Sequence, residues 1–336
     1  MSESRFRSAA ILGNGSFGMA IAKLLAEKMD AIRLIGRNPV TAATLEASRR
    51  SPHYLKNITL DANVRSSSEP RDALTHPLVI FAVPTSATRS MAQKLADLGL
   101  STTTVLLSCA KGIERNSGDR MSQVLRKVFP QNPIAVLSGP NLAEEIAAKQ
   151  ATCAVVGSED QTLAVEIQEL FTTAQFRSYT SDDLAGIEFG GAVKNVYAIA
   201  AGMAHGLSLG DNAVAALVTR SLAEMTRLGI AMGGRMETFS GLSGVGDLMV
   251  TCFSNHSRNH RIGFALGRGQ TLEEAVAELG SVAEGVPNTL SIHDAARRTG
   301  VRTPIIDAVH SILYTGKSVP LAMQELLSRD PRPEQS

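Results

Sequence analysis

The chain has 336 residues, enough for two substantial units, and its 44% hydrophobic and 19% charged composition is that of an ordinary globular protein. With 33 basic and 32 acidic side chains the formal net charge is +1, which argues against general binding to nucleic acid or acidic membrane but leaves room for a local basic pocket. Three cysteines, Cys109, Cys153 and Cys252, lack the spacing of a disulfide framework or a metal site and read as buried small hydrophobes in a reducing compartment, so no metal is expected. No uninterrupted apolar run approaches the roughly 18 residues of a membrane span, and the opening MSESRFRSAA lacks an apolar signal core. The expectation is a cytoplasmic protein.

The first strand-like run, SAAILG, leads into GNGSFGMAIAKLLAEK. Here Gly13, Gly15 and Gly18 match G-x-G-x-x-G, and the helix that follows offers N–H groups and a positive dipole end to a pyrophosphate. The motif follows an apolar strand and opens a helix in the first βαβ unit, which is the context that dinucleotide binding requires. A second run, AIRLI, should end in an acid if the cofactor is NAD, because the acid bonds the ribose 2′-hydroxyl. It ends instead in Gly36 and Arg37. An arginine there suits a 2′-phosphate, so NADP(H) is expected to be preferred with NAD(H) also used; the alternative is an ordinary exposed loop residue.

Further runs, PLVIFAVP, TTVLLSCA, IAVLSGP and TCAVVGS, alternate with mostly amphipathic segments, the signature of a parallel sheet wound with crossover helices. Near 181–184 the strands stop. From there to about Leu327 the pattern is nearly all helical, punctuated at MGGRMETFSG, LGRGQT, AEGVPN and TGVRTP. The expected fold is α/β, a Rossmann-type doubly wound, mostly parallel sheet over 1–182, followed by an all-α domain over 183–328 and a disordered tail over 329–336. The apolar helical half suggests a homodimer.

The helical half opens with GIEFGGAVKNVYAIAAGMA, almost entirely small or apolar yet carrying Lys194 and Asn195. Three and four residues from Lys194 stand Gly190, Gly191, Tyr197 and Ala198, so no carboxylate lies within local reach. Such a lysine ordinarily snorkels to water. Gly190 and Gly191 count against that, because each costs roughly 1 kcal/mol relative to alanine inside a helix and admits something close to the backbone.

Four polar clusters remain: SCAKGIE with Lys111, SGPNLAEEI with Gly139 and Asn141, GLSGVGDLMVTC with Asp247, and SNHSRNHRIG with Ser257, Arg258 and Asn259. Singly, each has a bland reading as a turn, a cap or a solvated loop. Together with VPTSATR, GGAVKNVYAIAAGMAHGLSLGDNA and SVAEGV they resemble the NAD(P)-dependent glycerol-3-phosphate dehydrogenase family, from the glycine loop to about Pro320.

That resemblance implies reversible reduction of dihydroxyacetone phosphate to sn-glycerol 3-phosphate, feeding glycerophospholipid synthesis. It implies that Lys194 is catalytic with Lys111 and Asp247, and that Lys111, Gly139, Asn141, Lys194, Asp247, Ser257, Arg258 and Asn259 line the substrate site. Ser16, Phe17, Arg37, Lys111, Ala143, Arg258, Val282 and Glu284 would contact the cofactor. The sequence departs from the bacterial pattern in having Phe17 for a larger aromatic and Asn141 for Ser or Thr. A β-hydroxyacid or 6-phosphogluconate type dehydrogenase shares the layout and the helix lysine followed by Asn, and a non-catalytic NADPH-sensing regulator is the alternative from another class. Cys252 as the thiol of a nucleotide-sugar dehydrogenase lacks its surrounding glycine and proline pattern.

Overall fold

The computed structural model describes residues 5–280, 283–328 and 333. The first half alternates strand and helix: β1 (Ser8–Leu12), α1 (Ser16–Leu25), β2 (Ala31–Ile35), α2 (Pro39–Ser48), β3 (Val64–Ser67), β4 (Leu78–Phe81), α3 (Thr85–Asp97), β5 (Val105–Ser108), α4 (Met121–Val128), β6 (Ile134–Ser138), α5 (Ala143–Ala147), β7 (Thr152–Ser158), α6 (Gln161–Phe171) and β8 (Phe176–Ser181). They form one sheet in the order β3-β2-β1-β4-β5-β6-β7-β8, parallel except where β7 meets β6. Residues of β4, β5 and β6 are buried throughout, as expected of central strands covered on both faces by helices.

The six strand-like runs expected from the sequence are all present, and two further strands appear. Both are edge strands: β3 (VRSS) and β8 (FRSYTS) mix polar and apolar residues because one face of each meets solvent. The tail expected to be disordered, 329–336, lies outside the described residues apart from Pro333.

The helical half comprises α7 (Leu184–Gly206), α8 (Asp211–Ala231), α9 (Met236–Phe239), a π-helical turn at Leu242–Gly246, α10 (Asp247–Phe253), α11 (Arg258–Gly267), α12 (Leu272–Leu279), α13 (Gly285–Thr299), α14 (Pro304–Thr315) and α15 (Val319–Leu327). Every residue of α7 except Ala185 and His205 is buried, so this helix, mostly small and apolar residues on every side, is the axis about which the others pack. AEGVPN, read as punctuation, holds the first turn of α13, where Pro287 is tolerated because first-turn N–H groups need no intrahelical partner.

The two glycines beside Lys194 make room for protein. A Cβ on Gly190 would lie 2.2 Å from the backbone oxygen of Ser243 in the π-helical turn, and one on Gly191 would lie 2.7 Å from Ser138 Oγ and 3.5 Å from Lys111 Cγ. Gly190 therefore lets the segment carrying Asp247 sit on α7, and Gly191 lets in the stem of Lys111. Two buried carboxylates anchor α7 further. Asp183 caps its start and also accepts from Arg235 N and Thr238 Oγ1, and Glu188 accepts from Ser122 N, Ser122 Oγ and Arg120 at the start of α4.

Gly190→Ala should therefore cost about 1 to 3 kcal/mol through overpacking against fixed backbone. In the same contact Gly246→Ala, whose Cβ would meet nothing nearer than 3.7 Å, should change stability by less than about 0.5 kcal/mol. Urea unfolding of both variants reads the contrast.

Candidate active site

The C-terminal ends of β1, β4, β5 and β6 lie on one edge of the sheet, and the chain order reverses between β1 and β4, where doubly wound sheets bind their ligands. Gly13 follows β1 with φ +109°, and its Cβ would stand 2.4 Å from the oxygen of Ala82, so only glycine makes this turn. A Cβ on Gly18 would fall 1.8 Å from the Gly13 oxygen, so Gly18 permits close packing of α1 on the loop. Gly15 has nothing within 4 Å of its would-be Cβ. The first turn of α1 carries no side-chain cap and no acidic residue. An open backbone, N–H groups of Ser16 and Phe17 without an acceptor among the described residues and a positive helix end form a cradle that fits a pyrophosphate.

Around this cradle, Phe17 is half-buried on the sheet core, and Ala143 opens α5 within the same core. Arg37 is exposed just past β2. The Asn14 side chain lies over Gly36, and its Nδ2 is buried without a partner among the described residues. Glu284 accepts from Thr85 N at 3.3 Å and Thr85 Oγ1 at 3.1 Å, tying the helical half to the start of α3, and burial pushes its carboxyl up. Val282 lies outside the described residues.

On α7, in the helical half, stands Lys194, 5% exposed. Its ammonium is bonded to Oδ1 of the fully buried Asp247, at the start of α10. The other oxygen of Asp247 accepts from Lys111 Nζ at 2.9 Å. One carboxylate thus serves two ammonium groups. Burial lowers the Lys194 pKa to about 7; Asp247 opposes the shift and Lys111 adds to it. Lys111 also donates to Asn141 Oδ1 at 2.8 Å and to the Gly139 oxygen at 2.9 Å, so all three of its hydrogens are committed. Among the described residues Lys194 has a single acceptor and keeps hydrogens to spare.

Asn141 is 4% exposed and its Nδ2 has no partner among the described residues, an open donor beside the lysine pair. Ser257 caps α11 by accepting from His260 N, and Arg258, the first residue of that helix, is exposed with no hydrogen bond or ion pair among the described residues. Its guanidinium and the helix N-terminus together suit a phosphate. Asn259 is buried and engaged on both sides of its amide.

Two residues that the motif reading left without a role belong here. Asn195 Nδ2 donates to the Lys111 carbonyl at 3.2 Å, and Asn288 Nδ2 donates to the same oxygen at 2.8 Å. Asn195 was visible as a polar residue in an apolar helix; Asn288, 177 positions from Lys111, gave no signal. Burial raises the Cys252 thiol to about 12 and likewise that of Cys109, which argues against a thiolate nucleophile at Cys252. Cys153 is half-buried, not buried as expected, because it alternates with inward-facing neighbours on β7. Among the described residues no group of three or more His, Cys, Asp and Glu side chains can hold a metal, and no helix is long and apolar enough to cross a membrane.

The family model described as NAD-dependent glycerol-3-phosphate dehydrogenase N-terminus matches residues 8–164, and its C-terminus counterpart matches 183–324. The chain belongs to this family. It is 46% identical over 325 residues to a glycerol-3-phosphate dehydrogenase [NAD(P)+] of Pseudomonas entomophila, covering 96% of this chain and 94% of that one. It is 40% identical over 334 residues to the enzyme of the same name from Clostridium tetani, covering 99% and 95%. The crystal structure of glycerol-3-phosphate dehydrogenase from Coxiella burnetii superposes with a TM-score of 0.93 at 35% identity, covering 96% of this chain and 99% of that one.

Removing the shared carboxylate exposes the energetics of the lysine pair. Because the folded pKa of Lys194 lies below its unfolded value of 10.5, the folded state binds fewer protons between about 7 and 10.5, and stability rises with pH through that window. Asp247→Asn should cost about 3 to 5 kcal/mol near pH 6, where Lys194 is charged. The loss should shrink near about pH 9, where Lys194 is neutral and needs no counter-ion. Urea titrations of both proteins at the two pH values measure the difference.

Proposed function

We infer that this protein reduces dihydroxyacetone phosphate to sn-glycerol 3-phosphate with NADH or NADPH, and runs the reverse oxidation. The observation that carries this reading is Lys194, a buried lysine with a pKa near 7 whose one acceptor among the described residues, Asp247, it shares with Lys111 from the sheet half. Chemically, a bound dihydronicotinamide supplies a hydride to C2 of the ketone. As negative charge builds on the carbonyl oxygen, Lys194 donates the proton that neutralises it. Lys111 holds Asp247 and contributes positive potential, so Lys194 releases its proton readily at neutral pH. Arg258, Ser257 and Asn259 at the start of α11 take the phosphate, whose binding energy orients the reacting carbonyl. Asn141 Nδ2 is the donor for a substrate oxygen.

The remaining assignments are also proposals. The dinucleotide domain spans 1–182 and the substrate domain 183–328. Gly13, Gly15, Ser16, Phe17, Gly18, Ala143 and Glu284 border the dinucleotide. Exposed Met249, Phe253 and Phe264 on the helical half support a homodimer, and the buried thiols Cys109 and Cys252 support a cytoplasmic location. The product supplies glycerophospholipid synthesis.

Lys194→Met should cut kcat by roughly 10² to 10⁴ while NADPH binding stays within a few fold. For the wild type, kcat/KM for reduction should fall above about pH 7, and for oxidation it should rise up to the same pH, because one direction needs the ammonium and the other the amine. Absorbance at the reduced nicotinamide band reads both. Turnover near wild type in folded Lys194→Met would return Lys194 to a structural role, and failure of the wild type to oxidise NADPH with this ketone would leave a non-catalytic sensor.

Cofactor choice rests on Arg37, whose exposed guanidinium meets the 2′-phosphate of NADPH while NADH merely forgoes the contact. A partly exposed arginine–phosphate contact favours NADPH by about ten- to a hundredfold. Arg37→Asp should reverse the order by repelling the phosphate and accepting from the ribose hydroxyl. Fluorescence titration with each cofactor and kcat/KM at fixed ionic strength test it; an unchanged ratio makes Arg37 an ordinary loop residue.

A further inference from the structure

Four hydrogen bonds close a circuit around the backbone of Lys111. Gly285 N, at the start of α13, donates to Asn259 Oδ1 at 2.9 Å; Asn259 Nδ2 donates to Asn195 Oδ1 at 2.9 Å; Asn195 Nδ2 donates to the Lys111 carbonyl at 3.2 Å. One turn along α13, Asn288 Nδ2 donates to that same carbonyl at 2.8 Å. The circuit therefore starts and ends on one helix. Its polarity is set at one point, because a backbone N–H can only donate: Asn259 must turn its oxygen to Gly285, hence its nitrogen to Asn195, hence Asn195 its nitrogen to Lys111. Asn195, Asn259 and Asn288 are 6%, 8% and 3% exposed, so none can exchange its bonds with water at little cost.

Sequence spacing hides this circuit, but two glycines are fitted to it. A Cβ on Gly285 would stand 2.7 Å from Asn259 Oδ1 and 2.7 Å from the Asn195 backbone oxygen. A Cβ on Gly112, the residue after Lys111, would stand 2.5 Å from Asn288 Oδ1 and 2.4 Å from Thr85 Oγ1. The Asn288 amide thus lies against the Lys111–Gly112 peptide. Its side-chain nitrogen goes to the Lys111 carbonyl and makes no hydrogen bond to Lys194 among the described residues, so it acts on the site through the Lys111 backbone.

We propose that Asn288 is a positioning residue for the reaction: by closing the amide circuit it fixes the Lys111 backbone, and so the place where the Lys111 ammonium meets Asp247, and joins that place to the helix end that carries Arg258 and Asn259. A phosphate held by Arg258 and Asn259 then pulls on the same network that sets the lysine pair. Phosphate binding energy reaches the proton-transfer step through Asn259, Asn195 and the Lys111 carbonyl.

The proposal rests on the roles given to Lys111 and Lys194 above, so Lys111→Met and Lys194→Met are assayed beside it. In Asn288→Ala, kcat should fall about 10- to 100-fold, as for a displacement of about 1 Å at a reacting group, with KM and NADPH binding within about threefold. The kcat advantage of dihydroxyacetone phosphate over dihydroxyacetone should shrink. Release of Lys111 from Asp247 removes a cation and frees the carboxylate for Lys194, so the fall of kcat/KM at high pH should move upward by about half a unit or more. A residue that serves only the fold would lower the melting temperature and leave the pH profile in place. Asn288→Asp keeps the volume and loses the donor, and should behave alike. Gly112→Ala should also be harmful, and less so in the Asn288→Ala background, where the added methyl has room. Unchanged kcat and pH profile in folded Asn288→Ala and Asn288→Asp would overturn the positioning role, as would failure of both to fold. Wild-type turnover in both lysine variants would instead overturn the functional reading on which it rests.

Discussion

One buried carboxylate holds two lysines from opposite halves of the molecule, and the site follows from that imbalance. Moving an ammonium out of water costs several kcal/mol, and a single carboxylate compensates one such charge well and two poorly. Asp247 is shared between Lys111, whose side chain is 17% exposed and has two further acceptors, and Lys194, which is buried and has none among the described residues. Lys194 therefore bears the cost. Its ammonium gives up a proton near neutrality, which is the property that acid–base work on a ketone and alcohol requires.

Holding that arrangement demands a rigid frame, because a lysine free to snorkel would regain its ordinary pKa. The frame is α7. Its small residues let neighbours approach to backbone contact, with the π-helical turn before Asp247 resting on Gly190 and the Lys111 stem on Gly191. Glu188 to α4 and Glu284 to α3 tie the helical half to the sheet half on two further lines. The two lysines thus keep their relation across a crevice whose walls come from different parts of the chain.

A protein that only sensed the dinucleotide would gain nothing from this expense. It would need the glycine loop and its helix, yet a buried lysine without full charge compensation lowers stability and repays it only where a proton must move. The Asn141 Nδ2 and the Arg258 guanidinium point the same way, since each is a polar group with no hydrogen-bond partner among the described residues.

The sequence by itself determined the wound sheet, the glycine loop and the helical half, because each rests on periodicity or on glycines within a few residues of one another. It also marked Lys194 as anomalous, since apolar neighbours at helical spacing leave a charge unexplained. Tertiary structure alone decided the rest. The edge strands β3 and β8 form on a sheet already present, and their mixed faces carry no continuous apolar signal. That Lys111 is saturated while Lys194 is not depends on Gly139, Asn141 and Asp247, which converge on Lys111 from 28, 30 and 136 positions away. The Asn288 bond to the Lys111 carbonyl spans 177 positions. Helical and strand periods report only which side a residue faces; which distant donor meets which acceptor is settled when the packed backbones fix their separation to a few tenths of an ångström.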